Sequence, residues 1–332
     1  MSTTPVPVGI LSTAHPHARA YADAVRAVDG ATLVGVATDD GDPSPDAPVM
    51  PAADLLERVS GAVICSTNAT HGMWVERAAS AGVDVLCEKP LATSVAEAST
   101  IVRTCDEAGV RLGVAMPLRF SEPARRARAA VEGGEIGALR LIVGTNLLGR
   151  PGADWFFDPD EAGGGAVMDH TVHVVDLVRW ITGREVTEVY AETATRFHDA
   201  AVEDVDLLSM TLDDGTPFTH DGSWCQPDNW DFWGDATLRL VGSEGIVEVD
   251  CFDQTLTVTR DGGDQPGIES VYWGSDVDEG LIRDFVEAVR DDRPPAVTGT
   301  AGVREVAVVE AAYESVDEGA PVDVRYPPSR RR

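Results

Sequence analysis

The sequence predicts an α/β protein: an N-terminal, Rossmann-type doubly wound parallel sheet, then an α+β domain built on an open, mainly antiparallel sheet. Three observations predict it. Short apolar runs recur through the first third, separated by segments of helical periodicity, which is the pattern of strands buried on both faces. Between residues 205 and 273 the pattern changes to strands joined by Gly-rich turns, a hairpin pattern. A length of 332 residues favours two domains over one.

Residues 8–11 form the first strand. A turn over Ser12–His15 follows, with Pro16 at a first helical position and Tyr21, Ala24, Val25 and Val28 on one helix face. Residues 33–37 are the second strand. The Asp-, Gly- and Pro-rich stretch 39–51 is too irregular for a full helix, so this crossover is abbreviated. A third strand covers 62–65, followed by a helix from about His71 to Ala81 that stops at Gly82. Residues 83–87 are the fourth strand. Ser94 and Glu97 form a capping box for a helix to about Ala108, and 112–116 is the fifth strand. Ser121 caps a helix ending at Gly133-Gly134. Strands near 138–148 and 185–195 flank a helix from Ala166 to Thr182, stopped by Gly183. Asp214-Gly215, Gly242–Gly245 and Asp261–Gly263 are hairpin turns. Helices at about 279–291 and 301–318 close the chain. The expected division is a dinucleotide-type domain at 1–118, a substrate and oligomerisation domain at 119–326, and a tail at 327–332.

Composition narrows the function. Lys+Arg number 26 against 56 Asp+Glu, a net charge of −30, which repels nucleic acid and anionic membranes. No apolar run approaches the roughly 20 residues of a spanning helix. No basic segment opens the chain, so the expected location is cytoplasmic. Five cysteines without a CxxC fit reduced thiols. Lys89 is the only lysine, which leaves 25 arginines among the 26 cations. An acidic surface nearly without lysine suits a halophilic cytoplasm, where salt screens self-repulsion. A GC-rich genome favouring Arg and Ala codons gives the same composition, and both readings stay open.

Three motifs carry chemistry. The first is the turn Ser12-Thr13-Ala14-His15-Pro16-His17. A strand, tight turn and helix start aim free N–H groups at an anion, and a dinucleotide turn writes G-x-G-x-x-G there. Ser12 and Ala14 are small enough to admit a pyrophosphate, whereas His17 is not small. His15 and His17 are also the H-x-H pair of metal-dependent barrel hydrolases, and their plain reading is a polar loop. The second is Glu88-Lys89-Pro90, straight after the fourth strand. In a chain that writes arginine 25 times, the single lysine marks a place where a planar fork that cannot be deprotonated does not serve; the plain reading is a surface lysine. The third is Gly163-Gly164-Gly165 leading into Asp169, His170, His173 and Asp176. At about 100° per residue, Asp169, His173 and Asp176 fall within roughly 60° of one another, while His170 points about 100° from Asp169. A carboxylate can orient an imidazole at this spacing, and Asp176 can equally partner Arg179. The glycines let the backbone approach a ligand. Ser66, Thr67 and Asn68, at the end of the third strand, are placed to meet a cofactor. Arg119 can clamp a substrate oxygen or form an interdomain ion pair. Trp155 can stack on a sugar ring or belong to the core.

Together these motifs resemble the glucose–fructose oxidoreductase/inositol dehydrogenase/rhizopine-catabolism (Gfo/Idh/MocA) family along nearly the whole chain. Thr67-Asn68 with His71, Glu88-Lys89-Pro90-Leu91, Arg119-Phe120, the run Gly163–Asp176 and the stretch Ala236–Asp250 carry the likeness. The resemblance implies an NAD(P)-dependent oxidoreductase acting on a secondary alcohol of a sugar, cyclitol or related polyol. It makes Lys89, Asp169 and His173 the catalytic group: Lys89 on the reacting oxygen, His173 as acid/base, Asp169 on the substrate hydroxyl. Arg119 and Trp155 join them as substrate contacts. Ser12, Thr13, Ala14, His15, Thr38, Ser66, Thr67, Asn68, His71, Glu88 and Lys89 are the expected cofactor contacts. Two departures stand out: the Gly-rich turn is degenerate, and Thr38 replaces the acidic residue that usually ends the second strand. Asp39 and Asp40 follow, and no cation lies between 38 and 57, so a 2′-phosphate has no local partner and NAD is favoured over NADP. No metal is expected. The expected assembly is a homodimer or homotetramer through the C-terminal sheet. The rivals are a metal-dependent hydrolase using His15, His17 and Lys89, which needs eight strand–helix repeats, and a non-catalytic dinucleotide sensor.

Overall fold

The computed structural model describes residues 4–38, 46–227, 229–230, 234–252, 255–260, 267–272 and 274–328. In the first third, strands β1 (Val6–Leu11), β2 (Ala31–Ala37), β3 (Gly61–Ile64), β4 (Asp84–Cys87) and β5 (Leu112–Val114) alternate with helices α1 (His17–Ala27), α2 (Ala52–Leu56), α3 (His71–Ser80) and α4 (Val95–Ala108). The strands pair in parallel in the order β2-β1-β3-β4-β5. Every residue of β3, β4 and β5 is buried, as a sheet covered on both faces requires. The short α2 is the abbreviated crossover; Asp39, Asp40 and the turn residues to 45 lie outside the described residues. One half of the capping box forms, with Ser94 Oγ accepting the Glu97 N–H at 3.3 Å, while the Glu97 carboxylate accepts from the Thr93 hydroxyl at 3.4 Å.

The second region opens with α5 (Glu122–Glu132), β6 (Leu139–Thr145), α6 (Pro159–Ala162), α7 (Ala166–Thr182) and β7 (Val186–Ala194). Strands β8 (Val205–Leu212), β9 (Pro217–Asp221), β10 (Thr237–Gly242), β11 (Ile246–Asp250), β12 (Thr255–Arg260) and β13 (Gly267–Tyr272) follow. Helices α8 (Val277–Asp291) and α9 (Gly299–Glu318) and strand β14 (Val322–Asp323) complete the chain. Seven strands form one sheet in the order β11-β10-β6-β9-β8-β7-β14. Both hairpins expected at Asp214-Gly215 and Gly242–Gly245 are present. The expected run of strands differs from the structure in two ways. β6 and β9 pair in parallel at the centre of the sheet, and β12–β13 form a separate two-stranded ribbon, whose Asp261–Gly263 turn lies outside the described residues.

The C-terminal helices tie the two sheets together. Leu281, Ile282, Phe285 and Val286 of α8 bury in one cluster with Val8 and Ile10 of β1 and Tyr21 of α1, so α8 covers a face of the first sheet although it lies far beyond residue 118. Just before α9, Val297 accepts the Val114 N–H at 3.1 Å, which extends the sheet edge beyond β5. On its other side α9 lies against α7 and β7. Helix α7 rests directly on the second sheet because Gly144 of β6 leaves room: a Cβ there would come within 2.6 Å of Val174. All five cysteines are free thiols. Among the described residues no helix is long and apolar enough to cross a membrane.

Candidate active site

A cleft of about 670 Å³ opens between the two sheets. Its floor follows β1, β4 and β5 directly, with His15–His17, Lys89 and Pro117–Leu118, the carboxyl edge where open α/β sheets bind ligands. Asp169, His170 and His173 of α7, Asn146 after β6, and Phe156 line the opposite wall.

The first turn lies where the strand order reverses around β1. Ser12 takes φ 64°, left-handed backbone that a glycine enters without cost. Its N–H donates to Ala37 O at 2.7 Å, and its Oγ accepts the Ala14 N–H at 3.3 Å. Thr13 Oγ1 donates to Thr38 Oγ1 at 3.2 Å, which ties the turn to the end of β2. The His15 N–H bridges to Cys65 O at 2.9 Å. The His15 ring is buried, and its Nδ1 accepts the His17 N–H at 3.2 Å. Its Nε2 therefore carries the hydrogen and has no partner among the described residues. Burial above all pushes this imidazole down to about 3, so it is neutral. His17 stands in the third glycine's place without wedging helix from sheet, because its ring turns into the cleft and donates to Glu88 Oε1 at 2.8 Å. Burial opposes its charged form, but the Glu88 carboxylate raises it overall. Burial likewise opposes the charge on Glu88, yet His17 and Lys89 beside it hold it well below the usual carboxylate range. Short side chains through Ala14, a left-handed residue 12 and an unpartnered buried donor on His15 fit the oxygen-rich pyrophosphate region of a dinucleotide.

That fit makes Ser12 a testable position. Ser12→Val puts a β-branched side chain at positive φ and removes the acceptor for Ala14. It should cost at least about 1–2 kcal/mol in denaturant unfolding and weaken NADH binding, whereas Ser12→Gly should do neither. Equal stability of the two variants would show that the turn is not constrained.

The remaining third-strand residues brace the floor. Ser66 Oγ donates to Thr67 O at 3.1 Å, and the Thr67 and Thr70 hydroxyls bond at 3.0 Å. Asn68 Nδ2 donates to Ala162 O at 2.8 Å, joining the two halves. His71 Nδ1 donates to Pro90 O at 3.0 Å, beneath the Lys89–Pro90 segment. None of the four is among the residues lining the cleft.

Lys89, Asp169 and His173 meet in the cleft. The Lys89 ammonium pairs with Asp169 Oδ1 and lies 3.4 Å from Asp169 O. Burial would raise the Asp169 carboxyl, but Lys89 and His170 hold it well below its ordinary value. His173 is pushed well below 6.5 by burial and by the charges of Lys89 and His170, and its Nδ1 has no partner among the described residues. The expectation that Asp169 orients His173 is corrected: its two oxygens go to Lys89 and to His170, whose Nε2 lies 3.2 Å from Oδ2. Asp176 does not extend the stripe either. It accepts two bonds from Arg119, Nε at 2.7 Å and Nη2. The Arg119 guanidinium is thus engaged in an ion pair with Asp176. Arg179 pairs with Glu185 instead, at 2.7 Å.

Trp155 is half-buried and donates from Nε1 to Ala14 O at 3.0 Å. Its ring stacks on Phe156, with centroids 3.9 Å apart. It fastens the second domain to the first turn, and Phe156 takes the cleft-lining place. The glycine run is also corrected, since it accommodates protein and not ligand: a Cβ on Gly165 would sit 1.9 Å from Glu203 O. Glu203 Oε1 accepts the N–H groups of Gly165 (3.0 Å) and Val167 (3.1 Å) and the Tyr313 hydroxyl at 2.8 Å, capping α7 from a distant loop. Sequence reasoning missed Glu203, His170 and Asn146. Only Asn146 had a local signal, as a polar residue where β6 reaches the cleft.

A strand–helix turn fit for a pyrophosphate, facing an imidazole kept neutral beside a lysine, is what a nicotinamide-dependent oxidoreductase requires, and that is the class of this protein. Residues 7–116 match the oxidoreductase family model described as an NAD-binding Rossmann fold, and residues 124–248 match the GFO/IDH/MocA C-terminal domain. The chain belongs to the Gfo/Idh/MocA family. It is 30% identical over 260 residues to D-xylose 1-dehydrogenase (NADP(+)) 2 of Haloferax volcanii, covering 77% of this chain and 78% of that one. It is 27% identical over 277 residues to myo-inositol 2-dehydrogenase of Thermotoga maritima, covering 80% of each. Among solved structures, GenD2 from gentamicin A biosynthesis in complex with NAD superposes with a TM-score of 0.89 at 25% identity over 98% of both chains. The barrel-hydrolase rival fails on the fold, because the sheet is open and five-stranded.

Proposed function

We propose that the chain interconverts a secondary alcohol and a ketone on a sugar, cyclitol or related polyol, with His173 as acid/base, Lys89 at the reacting oxygen and Asp169 fixing both Lys89 and a substrate hydroxyl. The nicotinamide, when bound, supplies the hydride acceptor or donor. The observation that carries the reading is the neutral His173 in the same cleft as the Lys89–Asp169 pair. A neutral imidazole can take the hydroxyl proton. A compact ammonium beside it stabilises the oxygen as negative charge develops. Ser12, Thr13, Ala14 and His15 would hold the cofactor's pyrophosphate region. The named activities of the relatives, on myo-inositol and D-xylose, support a polyol substrate.

The test is a screen of sugars and cyclitols with NAD and NADP in molar salt, followed at the nicotinamide absorbance, with calorimetry of NADH and NADPH alongside. The expected result is saturable binding, turnover of a polyol, and kcat/KM favouring NAD, because Asp39 and Asp40 follow Thr38 and the sequence has no cation between residues 38 and 57. A tenfold preference for NADP, about 1.4 kcal/mol, reverses the cofactor choice. Absence of binding to either cofactor removes the oxidoreductase reading.

Among the described residues, apolar side chains on the face of the second sheet away from α7 support a homo-oligomer. Val143 on β6, Leu207 on β8 and Ile246 on β11 are exposed there, while their neighbours Ile142 and Leu208 are buried on the α7 side. Apolar side chains exposed on one sheet face support association with a second copy. Light scattering should give a dimer or tetramer; a 35.2 kDa particle rules this out.

A further inference from the structure

We propose that His170 is a positioning residue that holds a proton against Asp169, so that Lys89, Asp169 and His170 work as one hydrogen-bonded unit beside His173. The proposal rests on the placement of Lys89 and Asp169 at the reacting end of the cleft. His170 is buried between two acceptors. Its Nδ1 lies 2.7 Å from Gly222 O, and a carbonyl only accepts, so Nδ1 carries a hydrogen. Its Nε2 lies 3.2 Å from Asp169 Oδ2. A neutral ring protonated on Nδ1 would turn a lone pair toward a carboxylate oxygen. Two buried acceptors facing each other are unfavourable, so a proton lies between them.

The surroundings say where that proton resides. Asp169 Oδ1 already accepts from the Lys89 ammonium. Burial opposes the Asp169 charge, but the Lys89 ammonium on Oδ1 holds the carboxyl below its ordinary value, which leaves the proton on the imidazole. The other groups facing His170 are Asp206 of β8, pushed up to about 7 mainly by burial, His220 of β9, pushed down to about 3 by burial and by His170, and Asp235 ahead of β10, raised by burial. On its own helix stands His173, whose basicity is depressed by burial and by Lys89 and His170. The imidazolium thus does two things. It fixes the carboxylate that aims Lys89, and it adds a second positive charge that keeps His173 free of a proton and ready to accept one. Without that charge His173 recovers basicity, so removing the imidazole should move the acid limb of the pH profile, which His173 sets, to higher pH.

Two measurements decide it. Neutron diffraction of the NADH-bound wild-type protein, crystallised near neutral pH in deuterated solvent, should show deuterium on both ring nitrogens of His170, or one shared with Asp169 Oδ2. A bare Nε2 facing Oδ2 overturns the proposal whatever the enzyme's substrate. In steady-state kinetics, His170→Gln keeps a single donor and His170→Phe keeps none. Both should retain NADH affinity and shift the acid limb to higher pH, with kcat about tenfold lower for Gln and lower still for Phe. Variants that keep the wild-type profile, or lose the same factor at every pH, show a packing role and overturn the proposal. If neither variant folds, the neutron result stands alone. If the wild type turns over no polyol but the deuterium is found, the substrate assignment has failed and the proton has not.

Discussion

Lys89→Arg should preserve the fold and cofactor binding and lower kcat by about 10²–10⁴-fold, the usual cost of a misplaced acid/base or electrostatic partner. The charge is kept, so the ion pair with Asp169 and the depressed Glu88 remain. The shape is not kept. Lys89 is only 5% exposed and lies in the cleft floor beside Asp169, where its point ammonium serves both Oδ1 and the main-chain oxygen of the same residue. A planar fork is wider, points its donors in fixed directions and cannot give up a proton at any working pH. It would cover the space in which a substrate oxygen has to sit. The measurement is single-turnover reduction of NAD with the polyol identified in the screen, together with NADH titration. Retention of more than about half the wild-type kcat would mean that the lone lysine is an accident of composition and that the reacting oxygen is held elsewhere.

The parts of this molecule legible in its sequence are those set by local physics. Period-two and period-3.6 patterns identify strands and helices, and the Ser94–Glu97 box and the Gly183 stop are written within a few residues of the structure they make. Tertiary choices are not written that way. Nothing in the α8 segment says that Phe285 packs against the first sheet, because an amphipathic stripe names a buried face and not its partner. The parallel pairing of β6 with β9 joins segments some 75 residues apart, beyond any hairpin rule. The same limit applies in the site. Lys89, Asp169 and His173 stand out by residue type and spacing. Asp176 does too, yet its partner Arg119 lies 57 residues away. A helical wheel points His170 away from Asp169, because it measures angles between Cα directions. A long imidazole on the first turn reaches the neighbouring carboxylate regardless, and Gly222, which receives its other nitrogen, is 52 residues distant. Glu203 carries no signal near α7, although it supplies the cap that the Gly-rich entry lacks.

His173→Ala should cost a similar 10²–10⁴-fold in kcat for alcohol oxidation, and it should change the form of the pH dependence as well as its height. The wild-type imidazole is held well below 6.5 by burial, Lys89 and His170. Protonation therefore competes with base function only at acid pH, and the rising limb of kcat/KM should have its midpoint below 6.5. The direction follows from the sign of the shift: a depressed imidazole is neutral, and so active as a base, over the whole range above its lowered value. Removing it leaves water as acceptor, whose proton affinity does not change across that limb, so the variant's profile should be flat there. Cofactor affinity should survive, because His173 lies on α7, opposite the Ser12–His15 turn. Added imidazole should restore part of the rate if the truncated site admits it. A variant within about fivefold of wild type with the acid limb intact would transfer the base role to another group in the cleft. The nearest candidate would then be His17, which Glu88 biases toward the charged form and which would titrate on the opposite side of the ordinary imidazole value.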